Sequence, residues 1–111
     1  MPWLAGTRIL FYNRELFKKA GLNPDKPPAT WKELHDAAKA VDGLGPSIYG
    51  IGLHVGEPYS PWQEFLPFAW GNGGEVLDPS WTRCLLDQPP VVEAMKFYRS
   101  LKPHALVQRQ E

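Results

Sequence analysis

The 111-residue sequence is poor in the features that build disulfides, metal clusters and membrane spans. It contains one cysteine, which excludes an internal disulfide and a thiolate zinc cluster. Its longest apolar runs, such as residues 9–12, fall far short of the roughly 20 residues of a membrane helix. Lysine and arginine together number 12, as do aspartate and glutamate, so the formal charge is zero. This balance predicts no nucleic-acid partner and no attraction to an anionic membrane.

Several site motifs are also missing. The glycine-rich stretch 71–74 follows a predicted helix and precedes a predicted strand, the reverse of the order in a phosphate-binding loop. The three histidines, His35, His54 and His104, have no metal-ligating spacing and are interpreted as surface residues. Cys84 has no basic neighbour to activate it and is predicted to be a small buried side chain. We therefore predict neither a metal nor a cofactor. The first residues show no signal region.

The apolar pattern predicts alternating strands and helices. Residues 7–12 carry the continuous apolar pattern of a strand covered on both faces, and Asn13 then caps a short helix over residues 14–20. Thr30 and Glu33 have the spacing of a capping box, which opens a second helix. The further predicted elements are a strand over residues 48–53, a helix from Pro61, short strands over residues 75–77 and 83–86, and a helix from near Pro90. The alternation indicates an α/β or α+β fold.

Four stretches resemble, in order, one family of transport proteins. The stretch TRILFYNRELFKKAGLNPDKPPATWKEL, residues 7–34, resembles a segment of the extracellular sugar-type solute-binding proteins of ABC importers. In that segment a strand, a Tyr-Asn turn, a short helix, a proline-rich loop and a second helix follow one another. The stretches YGIGL at 49–53, WGNGGEVLD at 70–78 and PPVVEAMKFYRSL at 89–101 resemble the family in the same order. The chain is thereby identified as a member of the maltose-binding-like family 1.

This resemblance implies a fold and a function. The expected fold is α/β, part of the second lobe of a periplasmic-binding-protein-like type II fold. Residues 1–12 are expected to form the crossing or hinge strand between two lobes, and residues 13–111 a part of the second lobe. The chain is thus expected to be an internal fragment and a single partial domain. The expected parent is a periplasmic or extracellular protein that captures a carbohydrate between its lobes and delivers it to a membrane permease.

The resemblance also implies where the sugar is bound. In related maltose-type binders the residues that match Glu57 and Tyr59 face the sugar, and an ordinary surface loop is the alternative for this stretch. An aromatic ring accepts the apolar face of a pyranose, and a carboxylate accepts its hydroxyls. Thr7 and Arg8 stand on the expected crossing strand, where some family members contact ligand. A salt bridge at the hinge is the alternative for Arg8.

Two tryptophans are further candidates for contact with the sugar. Trp62 follows the Glu57 and Tyr59 stretch closely, although its helical spacing with Phe65 favours packing in the core. Trp70 precedes a glycine-rich backbone that a ligand can approach closely, so it is a candidate platform. Trp31, at the start of its helix, is interpreted as a core residue or as part of a hydrophobic staple.

Two hypotheses from other classes stay open beside the binding module. Elements cut from a larger lobe leave unpaired sheet edges and uncovered apolar faces, which a second copy of the chain can cover to form a homo-oligomer. A carbohydrate-active enzyme needs two carboxyl groups about 5 to 10 Å apart. Glu57 and Glu64 are the candidate pair, but their spacing across a proline-rich helix start favours opposite directions. We expect no enzymatic activity.

Overall fold

The computed structural model describes residues 1, 3–54 and 61–108, and it places helices on a short parallel sheet. Strands β1 and β2 pair in parallel, with Ile51 opposite Ala105 and Leu53 opposite Val107. The elements in chain order are α1 (Arg14–Lys19), α2 (Trp31–Asp42), β1 (Ile51–His54), α3 (Pro61–Gly71), α4 (Pro89–Ser100), a 3₁₀ helix (Lys102–His104) and β2 (Ala105–Gln108). Within the described ranges, no helix is long and apolar enough to cross a membrane.

Both predicted helix starts are confirmed. The Asn13 side chain accepts the backbone N–H groups of Glu15 and Leu16 at 2.9 and 3.1 Å, which caps α1. The Thr30 hydroxyl accepts the N–H of Glu33 at 3.2 Å at the start of α2. The Glu33 carboxylate in turn accepts the N–H of Ala29 at 2.7 Å, and this bond lowers the pKa of Glu33. The capping box therefore closes on both sides of the helix start.

The chain approaches α2 closely at Gly50, which has no side chain and directly precedes β1. A Cβ atom on Gly50 would meet the carbonyl oxygen of Ala38 at 1.9 Å, so only glycine allows this approach. The N–H of Gly50 donates to the carbonyl of His104 at 2.8 Å, directly before the paired residues of β1 and β2. Leu53 is buried beside Ala38, with only 5% of its surface exposed. The backbone contact at Gly50 thus fixes where β1 begins.

Helices α3 and α4 cover the sheet and pack on each other through aromatic rings. Phe65 and Phe68 of α3 meet the Tyr98 ring of α4 edge-on, with centroids 5.9 and 5.7 Å apart. Further along, Ala69 of α3 is buried against Ala94 of α4. The residue numbers run in opposite senses, so the two helices are antiparallel. On the far side of α2, Phe17 of α1 fills a second apolar cluster.

The predicted strand over residues 7–12 is wrong for the described structure, because this segment forms no strand. Ile9, Leu10 and Phe11 are 68, 49 and 86% exposed. A strand exists only where its backbone groups find a partner strand, and no described segment pairs with this one. The apolar pattern thus predicts side chains suited to burial. It is not enough to form a strand here, because no partner strand lies among the described residues.

The predicted short strands near residues 75–86 reduce to one antiparallel bridge between Leu77 and Cys84. Cys84 is exposed, so its predicted burial is also wrong. The Asp78 carboxylate accepts the Ser80 hydroxyl and the N–H groups of Arg83 and Thr82, which lowers its pKa from 3.8 to about 2. These bonds close the turn that connects the two bridge residues.

We predict that Gly50→Ala destabilises the chain because the new methyl group overlaps the backbone of α2. The expected loss is about 2 kcal/mol of unfolding free energy, as for other overpacked cores. Gly52→Ala is the matched control, since Gly52 lies on β1 two residues later and the added carbon meets no atom of the described residues within 4 Å apart from its chain neighbours. Urea unfolding followed by circular dichroism measures both. Equal midpoints for the two variants would contradict the contact.

Candidate functional site

The carboxyl end of β1 and the first turn of α3 frame the candidate site. β1 ends at His54 and α3 begins at Pro61, so residues 55–60 connect them. Glu57 and Tyr59 belong to this connection and lie outside the described residues. Ligand-binding loops in α/β folds gather at the carboxyl ends of parallel strands. The two ends of this connection are thus fixed in position. Strand pairing holds the end of β1, and helix packing holds the start of α3.

Arg8 lies at the first turn of α3. Its guanidinium Nη2 donates a hydrogen bond to Oε1 of Gln63, 55 residues later in the chain. Both Arg8 and the preceding Thr7 are exposed. Among residues 1, 3–54 and 61–108, Arg8 forms no ion pair, so the alternative of a hinge salt bridge finds no partner there. The N-terminal segment is therefore brought beside the helix that follows the Glu57 and Tyr59 stretch.

Gln63 was missed as a functional residue by sequence reasoning. In the sequence, Ser60 and Gln63 have the spacing of a capping box, so a local role accounts for the glutamine. The contact with Arg8 joins residues far apart in the chain, and no local pattern encodes such a contact. Only the spatial arrangement of the N-terminal segment shows it.

Trp62 is 54% exposed, so its predicted packing in the core is wrong. The ring lines a groove of about 430 Å³ between α3 and α4, together with the basic side chains Lys96 and Arg99. The other residues that line it are Phe65, Leu66, Leu86, Val91, Val92 and Met95. Trp62 and Arg8 therefore both lie at the first turn of α3, Trp62 on the groove side and Arg8 against Gln63.

Trp70 lies at the other end of α3 and is 51% exposed. At 1.5 Å per residue, it is about 12 Å along the helix axis from Trp62. Beside it, the Asn72 amide donates to the Pro90 carbonyl at 3.0 Å and to the Glu93 carboxylate at 3.2 Å. The structure thus separates Trp70 from the site candidates at the start of the helix.

The remaining aromatic and acidic candidates, Trp31 and Glu64, lie in or next to the packing between helices. Trp31 is half-buried and stacks on Phe97 with centroids 4.7 Å apart, which confirms its interpretation as a core residue. Burial raises the pKa of the Tyr98 hydroxyl, and the charge of Glu64 adds to the effect. Glu64 is therefore close enough to the helix packing to act on a core tyrosine.

Two histidines predicted to lie free on the surface take part in packing. His104 Nδ1 lies 3.0 Å from the Asp42 carboxylate, and the His104 ring meets the His35 ring edge-on at 5.4 Å. These contacts tie the 3₁₀ helix before β2 to α2. Over the described ranges, no group of three histidine, cysteine or acidic residues is arranged to hold a metal ion.

The sequence was compared with known protein families. The family described as bacterial extracellular solute-binding protein matches residues 1–110. The chain belongs to this family. A binding protein of Brucella abortus is 35% identical over 108 residues, which are 97% of this chain and 25% of that protein. The sn-glycerol-3-phosphate-binding periplasmic protein UgpB of Escherichia coli is 40% identical over 77 residues, 66% of this chain and 17% of that protein.

Two solved structures share the fold. The ABC transporter solute-binding protein of Thermotoga lettingae, bound with alpha-D-tagatose, superposes with a TM-score of 0.77 at 33% identity, covering 90% of this chain and 27% of that one. The cyclic alpha-maltosyl-1,6-maltose binding protein of Arthrobacter globiformis gives 0.72 at 30% identity, covering 84 and 24%. The chain thus spans about a quarter of the length of the solute-binding proteins of Brucella, Thermotoga and Arthrobacter that it matches.

These similarities confirm two predictions made from the sequence, namely the family and the α/β fold of the periplasmic binding proteins. Each of the named relatives is a binding protein by name, and that of Thermotoga lettingae belongs to an ABC transporter. The family is extracellular by description, and UgpB is periplasmic by name.

Proposed function

We propose that this chain is part of the carbohydrate-binding component of an ABC importer, and that its sugar is bound in a cleft between two lobes. The observation that carries the proposal is the hydrogen bond from Arg8 to Gln63. It brings the segment expected to cross between lobes to the first turn of α3, next to the connection that contains Glu57 and Tyr59. Arg8 and Trp62 thus lie at the same helix turn, and the stretch with Glu57 and Tyr59 directly precedes that turn in the sequence, which supports the proposal.

Each proposed contact matches a group on a sugar. The Glu57 carboxylate accepts hydroxyl protons, and the Tyr59 ring covers the apolar C–H face. Arg8 offers up to five N–H donors to ring or hydroxyl oxygens, and the Thr7 hydroxyl both donates and accepts. The Trp62 ring flanks the ligand from the groove side. Named relatives bind a ketohexose, a cyclic glucose oligosaccharide and a polyol phosphate, which supports a ligand rich in hydroxyls.

Trp70 is proposed to act only on longer ligands. Its separation of about 12 Å from the first turn of α3 is close to the length of a disaccharide and exceeds that of one ring. A monosaccharide at Glu57 and Tyr59 therefore leaves Trp70 uncovered. An oligosaccharide that runs along α3 covers both tryptophans.

The parent protein is proposed to release the sugar to the membrane permease of its importer. Closure of two lobes encloses the ligand and removes it from water, so the full site has walls on both sides. This chain supplies one wall. We expect it to bind with a millimolar dissociation constant, which corresponds to about 4 kcal/mol. The proposed location is the periplasm or the cell exterior, as for the family.

We predict a saturable change in tryptophan fluorescence when the chain is titrated with one member of a sugar panel. The panel contains glucose, maltose, trehalose, xylobiose and glycerol 3-phosphate. Tyr59→Ala should weaken the affinity about tenfold because the stacking face is lost. Tyr59→Phe is the matched control and should keep the affinity, since it keeps the ring.

The folded state of each variant is checked by circular dichroism before titration. A folded wild-type chain that responds to no member of the panel would overturn the proposal. Equal affinities for Tyr59→Ala and the wild-type chain would remove Tyr59 from the site while leaving binding in place.

Self-association is a second candidate function, supported by a specific observation. Ile9, Leu10 and Phe11 are exposed next to one another on a segment with no strand partner among the described residues. Adjacent exposed apolar side chains of this kind mark interaction surfaces. A second copy of the chain, supplying an unpaired sheet edge, would cover them.

We predict that, if the chain self-associates, sedimentation equilibrium shows a mass that rises with concentration. Phe11→Asp should shift the chain to the monomer because it places a charge in the apolar contact. Trp81→Ser is the matched control, since Trp81 is an equally exposed aromatic residue, at 81%, on the loop of the Leu77 bridge. A monomer at all concentrations would exclude this candidate.

A further inference from the structure

The Arg8 side chain is held in place by a single described contact. Residues 7–11 form no strand, and the neighbouring Ile9 and Leu10 are exposed. An arginine side chain on such a segment must lose rotamer entropy before it holds one direction. Among the described residues, the Gln63 amide oxygen is the hydrogen-bond partner that gives it a direction.

Gln63 itself stands on a rigid element. It is the third residue of α3 and is half-buried. Two and five residues later, Phe65 and Phe68 pack edge-on against the Tyr98 ring and hold α3 on α4. Side chains on a packed helix hold their position more closely than side chains on loops.

We propose that Gln63 is a positioning residue of the ligand site, which holds the Arg8 guanidinium over the first turn of α3 with its charge intact. This inference rests on the proposed function, in which Arg8 contacts the ligand. The hydrogen bond uses one N–H group of the guanidinium and leaves the others to the ligand.

The uncharged Gln63 side chain affects which ligands the Arg8 guanidinium favours. A carboxylate at position 63 would accept the same hydrogen bond, but it would also cancel the charge of Arg8 and occupy a second N–H group. The glutamine amide does neither. The groove on the Trp62 side of the same turn adds Lys96 and Arg99, and no carboxylate lines it among the described residues. The first turn of α3 also contains the acidic residue Glu64, whose charge acts on Tyr98 of α4. The Arg8 guanidinium, bound to a neutral amide, keeps a positive charge that favours an anionic group of a ligand placed against it.

Three variants of the 111-residue chain test the inference. Gln63→Met keeps the size of the side chain and removes the acceptor. Gln63→Glu keeps an acceptor and cancels the charge. Arg8→Met, alone and combined with Gln63→Met, completes a double-mutant cycle. Maltose serves as the neutral probe and glycerol 3-phosphate as the anionic probe, both followed by tryptophan fluorescence.

The positioning is first measured without ligand, as the rate at which trypsin cuts after Arg8. Gln63→Met should raise this rate about fivefold, the equilibrium effect of losing one ordinary hydrogen bond. Gln63→Glu should restore the wild-type rate. Cleavage after Arg83, on the exposed loop that follows Leu77, is the internal reference and should not change. Equal rates after Arg8 in the wild-type chain and Gln63→Met would overturn the inference.

The binding measurements separate positioning from direct contact. Gln63→Met should weaken both probes about fivefold, with no further loss when Arg8→Met is already present. Gln63→Glu should keep the maltose affinity and weaken glycerol 3-phosphate about tenfold, because the charge of Arg8 is cancelled. A loss from Gln63→Met that persists in the Arg8→Met background would overturn positioning in favour of direct contact.

The failure of the inference is distinct from the failure of the proposed function. A wild-type chain that binds a probe, with variants that bind equally well, would refute the role of Gln63 alone. A folded wild-type chain that responds to no member of the sugar panel would refute the proposed function, and the cleavage rates would still decide whether Gln63 holds Arg8.

Discussion

The close approach of β1 to α2 at Gly50 is the constraint on which the rest of the structure depends. Because the strand starts in backbone contact with Ala38, its direction is fixed from its first residue. The hydrogen bond from Gly50 to His104 then sets the register with β2, and His104 is itself held by Asp42 at the end of α2. The contacts of Gly50 thus fix the relative positions of α2, the two strands and the 3₁₀ helix between α4 and β2.

The position of the candidate site follows from this contact. β1 delivers the chain to the carboxyl edge of the sheet, and α3 resumes there with its first turn held by the Phe65 and Tyr98 packing. Arg8 reaches the same turn through Gln63. Strand pairing and helix packing therefore hold the two ends of the connection that contains Glu57 and Tyr59, and Trp70 is apart from them at the far end of α3.

Local signals in the sequence predicted the local structure well. The caps at Asn13 and Thr30 are correct because a capping bond joins neighbouring residues and needs no tertiary partner. The strand predicted over residues 7–12 is wrong because a strand needs a partner that periodicity does not supply. Trp62 was predicted to be core because helical spacing defines a stripe but not what covers it. β2 went unpredicted, and its pairing with β1 joins residues more than 50 positions apart. The Arg8 contact with Gln63 likewise joins residues too distant in the chain for any local rule.

The most direct test of the central claim is a map of amide chemical shifts on adding glucose to the ¹⁵N-labelled chain. The account predicts that the largest changes fall on residues 7–8 and 55–63, around the end of β1 and the first turn of α3. Residues 70–74, at the other end of the helix, should change far less. Changes centred on residues 70–74, or spread without a centre, would contradict the placement of the site.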